Sequence, residues 1–223
     1  MNIRRTVTKA LKGQADDRFN VIASAFEEDA PATMRVLQMH VYAPITQIDR
    51  WQAIEIIGQL TEKYAPENDE LFRNVIRRFI LQMCEESANV PWASAEVIGT
   101  MLAHDRKRQF VEFVGPLFYH AGLNEICYPG LFWAYVQMAP RYGEEMQEFL
   151  PKTLPFITYH EAEARAYAAW AFREVPYAPA AKALEALLED DRSFPIYENG
   201  TLQEYTISSL AAEALERCKA AAK

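Results

Sequence analysis

The sequence predicts an all-α protein: a right-handed α-solenoid of about five antiparallel helix pairs, closed by a C-terminal helix, as a single domain over residues 1–223. Three observations carry this. The phrase Trp51-Gln52-Ala53-Ile54-Glu55-Ile56-Ile57-Gly58 returns 41 residues later as Trp92-Ala93-Ser94-Ala95-Glu96-Val97-Ile98-Gly99. Another 41 residues on, Trp133-Ala134-Tyr135-Val136-Gln137-Met138-Ala139-Pro140 keeps the tryptophan, with Gln for Glu and Pro for Gly. A fixed period of this size marks stacked helix pairs. Apolar residues recur at helical spacing along most of the chain, and 8 glycines are few for an all-β fold rich in turns.

In chain order, residues 1–15 carry Arg4, Arg5, Lys9 and Lys12 with no apolar run behind them. They are not a secretory signal and are expected to be a frayed basic arm. Residues 17–28 and 31–42 form the first pair, with Phe19, Ile22, Ala23 and Phe26 on one stripe and Met34, Leu37 and Val41 on the other. Pro31 suits a first helical turn, where its missing N–H is not needed. The second pair, 46–64 and 69–85, has the cleanest amphipathic pattern, Phe72, Val75, Ile76, Phe79, Ile80 and Met83. The third, 91–103 and 106–119, holds Gly115-Pro116, expected to kink or end its second helix. Residues 130–138 and 144–157 form the fourth pair, made irregular by Pro151 and Pro155; 160–173 and 179–188 form the fifth. Residues 194–205, with Asn199-Gly200 between short β-prone runs, read as a small hairpin or an irregular loop. Residues 206–222 make an alanine-rich capping helix.

Composition excludes several classes. Half the residues are apolar and a quarter charged, as in soluble globular chains. A net charge of −8 weighs against nucleic acid, whose binding rests on neutralised phosphates, and against an anionic membrane surface. No run of eighteen apolar residues exists, so no helix is expected to span a membrane. Cys84, Cys127 and Cys218 are far apart and in no C-x-x-C pair, which fits a reducing, cytoplasmic setting and argues against disulfides or a cysteine zinc site. The histidines lack metal-ligand spacing, and no phosphate loop, dinucleotide fingerprint or nucleophile elbow occurs. No metal, cofactor or catalytic residue is therefore expected.

On a helix, positions i, i+4 and i+7 share a face, so Trp51, Glu55 and Gly58 form one stripe and Trp92, Glu96 and Gly99 its counterpart a layer up. With Trp133 they should make a ladder rising about 8–10 Å per rung. Either the glycines admit neighbouring helices and the indoles fill seams, or exposed indoles beside carboxylates line a groove for a cationic or apolar segment. The loop Glu85-Glu86-Ser87-Ala88-Asn89 either caps the next helix or brings Glu86 to Glu96 near Trp92, with Cys127, Tyr128 and Trp133 lining a pocket. His160-Glu161-x-Glu163-x-Arg165 reads as an exposed, well-capped turn with a Glu161–Arg165 pair.

The paired helices, from about residue 17 to the last helix, resemble HEAT-like repeats of the kind found in bilin lyases. Glu85-Glu86-Ser87 followed by Trp92-x-x-x-Glu96, and later Gly130-x-x-Trp133, resembles a group of functionally uncharacterised HEAT-like proteins of anaerobic prokaryotes, although Pro91 and Ala93 stand where that pattern has glycines. The expected function is a non-enzymatic protein-binding scaffold. Its acidic, aromatic groove across repeats 2–4 would engage a protein partner with a basic or aromatic patch. The alternative is a cofactor-handling, lyase-like or glycosylase-like HEAT-repeat enzyme with a pocket around Glu86, Trp92, Glu96 and Trp133.

Overall fold

A computed structural model describes residues 2–13, 17–84 and 92–222. The described residues are mostly helical, with one two-stranded antiparallel hairpin. The first helix is α1 (Ile3–Leu11); the next four fall close to their expected bounds, α2 (Arg18–Glu28), α3 (Ala30–Val41), α4 (Ile48–Tyr64) and α5 (Asp69–Cys84). Then come α6 (Ser94–His104), α7 (Val114–Leu123), α8 (Tyr128–Met146), α9 (Leu150–Thr153), α10 (Ala162–Glu174) and α11 (Ala181–Leu184). Strands β1 (Ser193–Glu198) and β2 (Thr201–Thr206) precede α12 (Ile207–Ala220).

Four of these helices form the frame of the site. α4, α6, α8 and α10 lie side by side in that order. The contacts between them run in register: Arg50 meets Glu96 near the starts of α4 and α6, and Glu62 meets His104 near their ends. Gly130 lies against Glu96, and Gly99 against Ala134 one turn and a little further along α6 and α8. The Trp133 ring lies on Trp170, and the Tyr135 hydroxyl donates to the Val175 carbonyl at the end of α10. All four helices therefore point the same way, with their N-termini at one end. Close approach explains the repeated glycine: a Cβ on Gly99 would sit 2.4 Å from Ala134 Cβ and 2.5 Å from its Cα, so α6 and α8 could not come so near with any larger residue. Gly58 plays the same part towards Thr100 and His104. Helices α1–α3 cover α4 at one side of the row, and α12 covers α10 at the other, with α11 packed against α12.

Several local expectations are corrected. Residues 3–11 are a helix rather than a frayed arm, because Ile3, Val7 and Leu11 recur at i, i+4 and dock on the core, with the Asn2 side chain capping at Arg5 N. Gly115-Pro116 neither kinks nor ends a helix. It lies in the first turn of α7, after a 3₁₀ turn at Val111–Phe113, where proline costs no hydrogen bond. The expected break between residues 138 and 144 takes the form of a kink at Tyr142, two residues past Pro140, inside an α8 that runs on to Met146. Residues 194–205 do form the hairpin, with Asn199 (φ 50°) and Gly200 (φ 80°) in the left-handed region that a type I′ turn demands.

Candidate functional site

The groove expected over Trp51, Glu55 and Trp133 is filled by the chain's own hairpin. Tyr197 stacks on Trp51 with ring centroids 5.6 Å apart and planes 6° apart, and its hydroxyl donates to Glu55 at 2.7 Å. Trp51 in turn meets Trp133 at 4.7 Å, and Trp133 stacks on Trp170 at 5.4 Å. Glu198, beside Tyr197, accepts from the Trp170 indole N–H at 2.6 Å and pairs with Arg173. The indoles of Trp51 and Trp133 touch rather than stand two helix spacings apart, and both are buried. Seam filling is therefore what these two residues do.

Trp92 departs from the ladder. It sits in a turn, and Ala93 takes a left-handed conformation (φ 63°) before α6 begins at Ser94. The helical period that links Glu96 and Gly99 therefore stops short of Trp92, which is 49% exposed. It forms the rim of a cleft of about 400 Å³ at the common N-terminal end of the helix row. Pro44, Ile45, Ile126 and Pro129 supply apolar wall; Arg50, Glu96, Glu125, Glu161 and Glu163 supply charge. The first turns of α4, α6 and α10 place Arg50, Glu96 and Glu163 there.

The floor is a buried ion pair. Arg50 Nη2 donates to Glu96 Oε1 at 2.6 Å, both side chains being under a tenth exposed, and Nη1 donates to the Ala43 carbonyl at 3.1 Å. Arg50 Nε and the Tyr167 hydroxyl, both buried, have no hydrogen-bond partner among the described residues. Glu125 accepts from the Tyr159 hydroxyl, and Glu161 lies 3.3 Å from His160. Glu163 has neither a hydrogen bond nor an ion pair among the described residues. Burial first, then the charge of Glu96, pushes its carboxyl above the ordinary value of 4.5, outweighing the pull of Arg50. Burial and the Glu96 charge likewise push the Cys127 thiol and the Tyr167 hydroxyl up, so neither is a ready nucleophile or base.

Glu163 thus opposes folding at neutral pH. With the folded value above the unfolded one, the native state binds its proton more tightly; stability is fullest below pH 4.5 and falls as pH rises through the raised value. Glu163→Gln should therefore be more stable than the parent at pH 7, with the advantage gone below about pH 4. Urea unfolding at both values checks this; an equal gain at both would assign it to something other than charge.

Of the residues singled out by sequence, Trp92 and Glu96 line the cleft together. Cys127 is buried close to Glu96, and Tyr128 stacks on Phe156 at 3.9 Å instead of entering the cleft. Trp51, Glu55 and Trp133 belong to the seam under the hairpin. Glu85, Glu86 and Ser87 lie outside the described residues. Arg165 does not pair with Glu161: it is buried, binding Asp190 at 2.9 Å and the His160 carbonyl at 2.7 Å. Sequence reasoning missed Arg50, Glu163 as a cleft residue, and Ile126. Arg50 was open to notice as a lone cation on the apolar run of α4, because a buried charge demands a partner. Trp92→Ala should change stability by less than about 1 kcal/mol, as for an exposed side chain. A loss of about 3–5 kcal/mol, the cost of deleting a core tryptophan, would show the ring to be packing.

Among the described residues no helix is long and apolar enough to cross a membrane. Compared with protein-family models, with curated proteins and with solved structures, the chain matches none.

Proposed function

We propose that this chain is a non-enzymatic protein-binding module, a HEAT-like α-solenoid that engages its partner through the cleft at the N-terminal end of α4, α6, α8 and α10. One observation carries the reading: of the four tryptophans only Trp92 is exposed, and it stands with Ile126, also 49% exposed, at the mouth of a carboxylate-lined cleft. An exposed indole at the edge of a concave site is the usual energetic anchor of a protein interface. The surrounding carboxylates favour a partner with basic groups and disfavour nucleic acid. Three free cysteines support a reducing, cytoplasmic setting.

The test places a photoreactive benzoyl-phenylalanine at position 92, and as a control at Leu188, which is 40% exposed elsewhere on the molecule. In native extract at low salt, position 92 should give a discrete protein adduct that the control does not. No adduct, or the same pattern from both positions, would end this reading.

One feature favours a second reading, an acid–base or cofactor-handling protein: burial and the Glu96 charge push the Glu163 carboxyl up, and a raised carboxyl lining a cleft suits acid–base work. A thermal-shift screen against chromophores, nucleotides and damaged DNA decides, because a ligand at about 100 times its Kd adds about 2.7 kcal/mol. No shift anywhere retires it.

A further inference from the structure

We infer that Thr8 is a covalent acylation site: its hydroxyl, activated by His40 and Asp49, takes the acyl group of an acyl phosphate held by Arg4, Arg5, Lys9 and Lys12. The site lies on α1, outside the cleft, and leaves the protein-binding reading as it stands.

Three helices build the site. Thr8 comes from α1, His40 from the last turn of α3 and Asp49 from the first turn of α4. The Thr8 Oγ1 lies 3.2 Å from His40 Nε2, and His40 Nδ1 lies 3.0 Å from Asp49 Oδ2. A carboxylate can only accept, so in the neutral imidazole Nδ1 carries the proton and Nε2 accepts from the Thr8 hydroxyl. Hydroxyl, imidazole and carboxylate thus stand in the order of a nucleophile, its base and the group that orients the base. The His40 and Asp49 side chains are 15% and 17% exposed, sheltered but not sealed off. Anchoring alone does not account for this arrangement. α1 is already docked through buried Val7 and Leu11, and the Ala10 and Gly13 carbonyls at its end accept from Arg18.

The surroundings of Thr8 select the donor. It lines an open depression of about 710 Å³ together with Arg4, Arg5, Lys9 and Lys12. None of these four cations forms an ion pair among the described residues. On a chain of net charge −8 they make a local cationic face, which attracts an anion. A threonine hydroxyl is a weak nucleophile, so the acyl group must arrive activated. An acyl phosphate meets both conditions, because its leaving group is an anion that the cations bind and stabilise as it departs. Thr8 Oγ1 attacks the carbonyl carbon, and its proton passes to His40 Nε2. The carbon–oxygen bond to phosphate then breaks, and the phosphate leaves with the electron pair and the proton from His40. The products are an O-acyl-threonine ester and inorganic phosphate, with nothing oxidised or reduced. Asp49 does not touch the donor; it is a positioning residue for His40.

The probe is acetyl phosphate, added to the purified full chain, with the peptides of a digest read by mass spectrometry. Acetyl should appear on Thr8 as an ester that hydroxylamine removes, whereas acetyl amides on Lys9 and Lys12 resist it. His40→Gln and Asp49→Asn, each shown by its melt to be folded, should slow formation of that ester at least about 100-fold, the usual effect of losing a positioned base. Thr8→Ser should keep the label at position 8, and Arg5→Gln with Lys9→Gln should slow labelling about ten-fold. If the ester is hydrolysed as fast as it forms, release of phosphate that Thr8→Val abolishes reports the same step. Four results overturn the inference: neither ester nor Thr8-dependent release, label on lysines alone, a phosphoryl group on Thr8 in place of acetyl, or an ester whose rate ignores His40→Gln and Asp49→Asn. Indifference to Arg5→Gln with Lys9→Gln overturns it as well, since the donor is then not chosen by its charge.

Discussion

Trp51→Ala is expected to destabilise the protein by about 3–5 kcal/mol, the range for deleting a buried tryptophan side chain. In a chain of this length that lowers the melting temperature by roughly 6–20 °C. Trp51 is 1% exposed and touches the rings of Trp133, Tyr197 and Tyr167 at centroid distances of 4.7, 5.6 and 6.3 Å. Its indole N–H donates to the Ile45 carbonyl at 2.8 Å. Removal leaves a cavity where α4, α8, α10 and the hairpin meet, and no single neighbour can collapse into it. Trp51→Phe keeps an aromatic ring against Tyr197 and forfeits the Ile45 hydrogen bond, so it should cost less, about 1–3 kcal/mol. Urea unfolding measures both, and near-UV circular dichroism reports whether Tyr197 stays ordered. A cost below about 1 kcal/mol for the alanine variant would mean that the aromatic seam is not core.

Trp51 also marks what the sequence could and could not convey. Its spacing of two 41-residue periods to Trp133 places the two in α4 and α8, the helices on either side of α6, and the glycines mark where the row closes up. Period and spacing are properties of neighbouring turns and neighbouring helices, so they survive in one dimension. Trp92 shares the repeat phrase and not the place, because a left-handed Ala93 sets the start of α6 two residues too late for Trp92 to ride on it. Backbone conformation at one residue leaves no trace in a hydrophobic period.

The hairpin shows the larger gap. Asn199-Gly200 signals a turn, but nothing local says that Tyr197 will reach back 142 residues to Glu55 and occupy the groove read from the repeat. An isolated hairpin is marginal on its own; this one is stable where it lies because Ile196 and Tyr197 are buried against the row. The candidate site moved for the same reason. Once the hairpin covers one face of the helix row, the exposed aromatic and acidic groups that remain together are those at the N-terminal end.

At that end the second large effect is expected. Glu96→Ala should cost about 3–5 kcal/mol, because it leaves Arg50 buried and unpaired rather than because the pair itself adds much. The distinction is testable. Arg50→Met with Glu96→Leu removes both charges and fills the space, and should recover most or all of the loss. Gly130 supplies an independent route to the same state: a Cβ there would lie 2.2 Å from Glu96 Oε2, so Gly130→Ala must displace the carboxylate and should destabilise in the same direction. The double variant then separates the worth of the pair from the cost of breaking it. It should melt like the parent or above it. If the double variant is as unstable as Glu96→Ala, the ion pair is a structural necessity of the α4–α6 seam. If it is stable, the loss in Glu96→Ala comes from the charge left unpaired.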